Sequence, residues 1–198
     1  AGGVRMLREA QRRGIALSAE VTPHHLALTD AAVRDFDPDF KVNPPLRSEE
    51  HRRALRKGLR DGIISVIASD HAPHTPTEKL VEFDYAPFGV IGLETAVPVC
   101  LTELYQGKVL DLPELIAKFT TGPASVLGLP LGSISEGMPA DLTIFDPQFE
   151  HQLDREQMRS RSRNTPFHGY RATGRVEATI VGGEFVFSRI PGIIGKVK

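Results

Sequence analysis

The sequence predicts an α/β fold in which amphipathic helices cover a parallel sheet, and three observations carry that prediction. Twice in the first 70 residues a helical repeat of apolar positions is followed by a short, largely apolar run. A glycine, Gly14 and then Gly62, separates each repeat from its run. Past Gly137 the pattern changes to strands punctuated by turn residues, so a small β unit completes the chain.

Val4, Leu7 and Ala10 recur at helical spacing among Arg and Glu, which predicts a helix over residues 3–13 stopped by Gly14. Residues 15–21 then read as a strand ended by Thr22-Pro23, because proline donates no ladder bond. His24 and His25 are expected in the loop beyond it. Ser48 as N-cap, with Glu49 and Glu50 in the first turn, opens a second helix; Leu55 and Leu59 face inward and Gly62 closes it. Residues 63–69 form the second apolar strand. Strands apolar on both faces need cover on both, which is the condition of a parallel sheet between helices. Residues 93–106 read as a helix kinked at Pro98. Asp111-Leu-Pro-Glu114 is a capping box with proline early in the helix, and Gly128 closes a short helix over 123–127. Strands are expected at 142–145, 176–181 and 184–187, the last two joined by Gly182-Gly183 in a tight primed turn. The polar, basic stretch 155–164 reads as surface helix and loop.

Charge and cysteine usage exclude several function classes. With 24 Lys+Arg against 25 Asp+Glu the formal net charge is -1, so neither nucleic acid nor an anionic membrane has an electrostatic footprint to bind, and a small-molecule substrate is expected. Cys100 is the single cysteine, which rules out an internal disulfide and a Cys-rich zinc site and favours a reducing, cytoplasmic location. No stretch approaches the roughly 20 apolar residues of a membrane span. The first residues lack the apolar core of a secretory signal. The sequence opens inside an amphipathic pattern without an initiator Met, which points to a portion of a longer chain.

Chemistry concentrates in three segments. Asp70, His71 and His74 (IASDHAPH, 67–74) come directly after a buried strand, where α/β barrels build their active sites. A carboxylate there can bind a metal or move a proton, although the same residues can cap a turn. Asn43 (FKVNPPLR, 40–47) precedes two prolines that stiffen the loop, and its amide both donates and accepts; a simple turn role is the alternative. In TPHH (22–25) neighbouring side chains diverge, so His24 and His25 are expected to pack or to support another ligand. His51 and His151 are assigned to solvent.

Together these segments resemble the bacterial dihydroorotases of the amidohydrolase superfamily, in the group whose final strand carries Asp-His-Ala-Pro-His. The resemblance runs through EVTPHH (20–25), FKVNPPLR (40–47), SDHAPHTPTEK (69–79), APFG (86–89), GLE (92–94), FTTGPASVLGL (119–129), EGMPADLTIFD (136–146) and RNTPFHGYRATGRVEATIVGG (163–183). It implies an α/β architecture of one kind: the C-terminal part of a (β/α)8 TIM barrel over 1–136, then a small β subdomain and tail over 137–198. It further implies two zinc ions, with Asp70 as a zinc ligand and general acid/base. Asn43, His74 and the Phe88-Gly89 backbone would contact substrate. The implied reaction is the reversible cyclisation of N-carbamoyl-L-aspartate to L-dihydroorotate in pyrimidine synthesis. Association as a homo-oligomer or with aspartate transcarbamoylase is the expected partnership.

The sequence also departs from the family pattern. The His-x-His pair, the bridging carboxylate and two further histidines that the resemblance implies are absent from these 198 residues. A catalytic zinc takes about three protein ligands, so Asp70 alone cannot hold two. Only two barrel-type strands precede the terminal helices, against eight in a barrel of about 250 residues. The chain is therefore expected to be a C-terminal portion, inactive alone. A non-catalytic dihydroorotase-like subunit and a hydantoinase or allantoinase stay open as alternatives. Residues 75–85 are a lid candidate or an ordinary surface loop.

Overall fold

A computed structural model describes residues 1–193. Helix α1 (Gly2–Arg12) leads to a two-stranded parallel ladder of β1 (Glu20–Val21) and β2 (Val66–Ile67), in register Glu20 to Val66 and Val21 to Ile67. Between them lie α2 (Pro23–Ala27) and α3 (Glu49–Arg60). Gly14 and Gly62 sit just past the ends of α1 and α3 with φ of 77° and 73°, the left-handed stop that glycine adopts without a Cβ penalty.

Both strands are shorter than the apolar runs that predict them. A strand exists only where backbone groups pair, and residues 15–18 lie beyond the ladder: Ile15 N donates to Ala10 O and Gln11 Nε2 donates to Leu17 O instead. His24 and His25 fall in α2, not in a loop. Pro23 presets the helical φ and the Thr22 hydroxyl accepts from His25 N, so the helix starts where the sequence suggested only a strand end. Ser48 stands at the N-cap of α3, but its hydroxyl pairs with His51 Nδ1 at 2.9 Å, which gives His51 a partner besides solvent.

After the short helix α4 (Pro76–Lys79), helix α5 (Ala96–Cys100) passes into a π-helical turn over Leu101–Gln106. Pro98 lies in the first turn of α5, where its missing N–H costs no helical bond, so the irregularity falls further along than the expected kink. The Asp111–Glu114 capping box opens α6 (Leu112–Phe119), and α7 (Thr121–Leu127) ends at Gly128 with φ 66°. The core joins these helices to the ladder through Val21, Leu26, Leu59, Ile67, Leu101 and Leu104.

Strands β3 (Leu142–Gln152), β4 (Arg171–Val181) and β5 (Glu184–Ser188) form an antiparallel sheet in that order. Gly182 and Gly183 both have positive φ, as the expected primed turn requires. β3 outruns its expected end because shifts of register around Pro147 carry the pairing past a residue that reads as a strand breaker. β4 starts five residues early and includes Gly174, where an added Cβ would lie 2.2 Å from a Leu101 side-chain carbon. The sheet is tied to the helices by Glu103 of the π-helical turn, which accepts from Arg56 on one oxygen and from the Tyr170 hydroxyl on the other. His151 is half-buried against Phe149 with its Nδ1 unpartnered, not solvated as expected. Of the tail assigned to 137–198, the last five residues lie outside the described residues. Among the described residues no helix is long and apolar enough to cross a membrane.

Candidate active site

Asp70 lies three residues past the end of β2, with φ 48° and a side chain 46% exposed. A left-handed conformation is one Asp tolerates better than most residues, and it turns the chain out of the strand so that the carboxylate faces solvent. Its ion-pair partner in range is His24, whose Nε2 lies 3.8 Å from Asp70 Oδ2. His24 is 2% exposed and makes no hydrogen bond through that nitrogen. Burial, reinforced by neighbouring His25, lowers its pKa to about 3, so it stands beside Asp70 as a neutral imidazole and brings no counter-charge.

The His25 ring lies against that of His24 with centroids 4.6 Å apart and planes tilted by 46°. Its Nε2 donates to Pro44 O at 2.8 Å, which leaves Nδ1 to accept from the Thr22 hydroxyl at 2.6 Å. Burial lowers its pKa as well. The two histidines therefore connect Asp70 to the turn that presents Asn43, whose peptide bond to Pro44 is cis and whose side chain is exposed.

On the other side of Asp70 the chain runs along a second strand-like segment. His71 and Val90 form a parallel bridge, Ala72 N donates to Val90 O at 2.9 Å, and Gly92 N donates to His71 Nδ1 at 3.1 Å. His74 Nε2 donates to Phe88 O at 3.0 Å, while its Nδ1 lies 3.8 Å from Glu78 Oε2. Gly89 has φ 122°, and a Cβ added to it would meet the Ala72 Cβ at 2.5 Å, so the two segments approach more closely than a side chain permits. His74, Phe88 and Gly89 are thus brought together directly. Asn43 joins them through the backbone, since Gly89 N donates to Lys41 O at 2.9 Å.

Three residues escaped the sequence reading. Lys41 and Lys79 are buried, at 9% and 5% exposure. Lys41 Nζ donates to the carbonyls of Phe83, Asp84 and Ala86 and lies 4.7 Å from the Phe88 ring centroid. Lys79 Nζ donates to Pro38 O and Pro87 O, and burial lowers its pKa. The lid candidate 75–85 is therefore pinned from both sides, besides carrying a Thr75–Glu78 capping box. Asn164 was assigned to the surface, yet it is 4% exposed: Nδ2 donates to Ala72 O and Gly89 O, and Oδ1 accepts from His74 N. Thr165-Pro166-Phe167 after it was the available signal, marking an apolar anchor at the end of the basic run.

An accessible carboxylate can exchange protons with a bound molecule, while neutral imidazoles, an amide and fixed backbone groups orient it. Among the described residues no group of three or more His, Cys, Asp or Glu converges on one point. The donors present do not make a metal centre by themselves.

A carboxylate and histidines on the C-terminal side of a parallel strand, with helices around the ladder, have the arrangement of a barrel-type α/β fold. The chain belongs to the amidohydrolase family, whose model matches residues 4–186. Over 186 residues it is 52% identical to a dihydroorotase of Pelotomaculum thermopropionicum, covering 94% of this chain and 44% of that protein. A dihydroorotase of Anaeromyxobacter dehalogenans is 50% identical over 188 residues, with 94% and 43% covered. Among solved structures, an L-hydantoinase (dihydropyrimidinase) from Arthrobacter aurescens superposes with a TM-score of 0.90 at 31% identity, covering 98% of this chain and 44% of that one. The chain spans less than half the length of these relatives. The expected α/β class, part of a TIM barrel of the metal-dependent hydrolases with a small β unit, is met.

Proposed function

We propose that this chain supplies the C-terminal part of a dihydroorotase, acting reversibly between N-carbamoyl-L-aspartate and L-dihydroorotate in pyrimidine synthesis. The observation that carries the reading is Asp70, exposed three residues past β2 on the segment that leads to His74, whose ring is hydrogen-bonded to Phe88 O. In the hydrolytic direction water adds to the ring amide carbonyl and the C–N bond breaks. Asp70 takes the proton from the water and returns it to the departing nitrogen, as general base and then general acid. Asn43, His74 and the Phe88-Gly89 backbone orient the substrate. His74 Nε2 is committed to Phe88 O, so its contribution comes through Nδ1 and through fixing that carbonyl.

Zinc is the metal the family resemblance implies, with two ions and Asp70 as one ligand. The reading requires the remaining ligands to come from outside these 198 residues, since the described donors do not form a set. It also carries a cytoplasmic location, a boundary between barrel and β subdomain near residue 137, and association as a homo-oligomer or with aspartate transcarbamoylase. A purely scaffolding subunit would have no use for Asp70, Asn43 and His74.

A second reading, a hydantoinase-type cyclic amidohydrolase, is favoured by the superposition on the L-hydantoinase. Sequence identity weighs against it, 31% there against 52% and 50% to the two dihydroorotases. Both are tested by assaying the product of the complete gene on dihydroorotate and hydantoin. Dihydroorotate should turn over preferentially, and Asp70→Ala should lower that rate by roughly 100- to 10,000-fold. Undiminished turnover in the variant removes Asp70 from the chemistry.

A further inference from the structure

We infer that Asn164 is a positioning residue of this site, a strap that fixes the segment carrying His74 against the segment carrying Phe88 and Gly89. This rests on the dihydroorotase reading for what is positioned, and on geometry alone for the strap. Asn164 stands 90 residues downstream of His74 and reaches between two segments that are otherwise linked by side chains through His74 Nε2 to Phe88 O and His71 Nδ1 to Gly92 N. An amide side chain offers two N–H donors and an accepting oxygen. Here Nδ2 gives one hydrogen to Ala72 O at 3.0 Å and one to Gly89 O at 3.1 Å, and Oδ1 takes the His74 N–H at 3.1 Å. The backbone joins in, since Ile91 N donates to Asn164 O at 2.9 Å.

No other side chain of that size meets the requirement. Aspartate has the shape but would set a carboxylate oxygen against two carbonyls, and leucine would take these partners from the Ala72 and Gly89 carbonyls and the His74 N–H. The close approach at Gly89, which excludes any Cβ, leaves the segments no slack to find other partners. Displacement of this kind moves a substrate-contacting group without removing it, and a misplacement of about 1 Å can cost up to about 100-fold.

The experiment uses the complete gene product with Asn164→Asp and Asn164→Ala, each checked for folding by circular dichroism. The expected result is a KM for dihydroorotate raised roughly 10- to 100-fold, with a smaller loss in kcat. Amide hydrogen exchange should speed up within residues 72–74 and 89–92 and stay unchanged in α3 and α6. Folded variants with the wild-type KM overturn the proposal, whether exchange changes or not, because a merely structural strap would leave the KM alone. An enzyme inert toward dihydroorotate defeats the functional reading separately; the KM is then read on the cyclic amide it does turn over. Should both variants fail to fold, the wild-type protein decides. Asn43 and Asn164 are the two asparagines of this sequence, one exposed and one buried. With 15N-asparagine labelling, the side-chain amide hydrogens of Asn164 should exchange far more slowly than those of Asn43, and equal rates overturn the strap.

Discussion

The face built from residues 70–74 and 86–91 and the groove between α6, the segment 131–139 and β3 both open to solvent, yet they are held in opposite ways. On the first face three buried polar heads are held by directional bonds: Asn164 satisfies three backbone groups, Lys41 three and Lys79 two. The groove is lined by Leu101, Leu115, Phe119, Leu131, Ile134 and Phe145, and contact there is apolar and non-directional. Ile134 is 89% exposed. Hydrogen bonds fix atoms in distance and angle, whereas apolar burial rewards only the area removed from water. A face that must hold a carboxylate, an imidazole and a carbonyl in mutual register needs the first kind of restraint.

That contrast breaks soonest where the bonded face rests on core packing. Phe167, three residues past Asn164, is 1% exposed among Ala27, Val99, Leu153 and Ala172, with Tyr170 edge-on at 5.4 Å. Phe167→Ala should cost about 3–5 kcal/mol. A urea titration followed by alkylation of Cys100 measures it: this thiol is fully buried, and burial, then Glu103, pushes its pKa up, so it reacts only when the core opens. A loss below about 1 kcal/mol would mean that hydrogen bonds hold Asn164 without the core, outside the usual range for a buried Phe.

A smaller effect tests the bonded face itself. Gly89→Ala places a Cβ at φ 122° and 2.5 Å from the Ala72 Cβ. The strain should cost about 1–3 kcal/mol and loosen the His74–Phe88 contact, seen as faster exchange at the amides of residues 89–92. Unchanged stability and exchange would show that the two segments can part freely.

What the sequence made legible follows the same division. Periodicity located α1 and α3, the Asp111–Glu114 capping box located α6, and the paired glycines located the β4–β5 turn, because each depends on residues close in the chain. Asp70 and His74 stood out by their place after an apolar run. Asn164, Lys41 and Lys79 did not, since their partners lie 41 to 92 residues away except for Pro87, and a polar residue reads as solvated until tertiary structure buries it. The short ladder was illegible for a related reason: apolar content marks a run that could be a strand, but its length is set by where partner backbone lies. β3 ran past Pro147 because bulges carry the pairing across it.

The smallest effect belongs to the groove and sharpens the comparison from its other side. Ile134 lines the groove but leaves nine-tenths of itself in water, so replacing it removes little buried area and strands no polar group. Ile134→Ser should change stability by less than about 0.5 kcal/mol by the same urea titration. It should also leave KM unchanged in the complete enzyme, since none of the groove-lining side chains bonds to residues 70–74 or 86–91. A cost above about 1 kcal/mol would mean that the groove is packed in solution, and its apolar lining would then be a restraint comparable to the hydrogen bonds across the molecule.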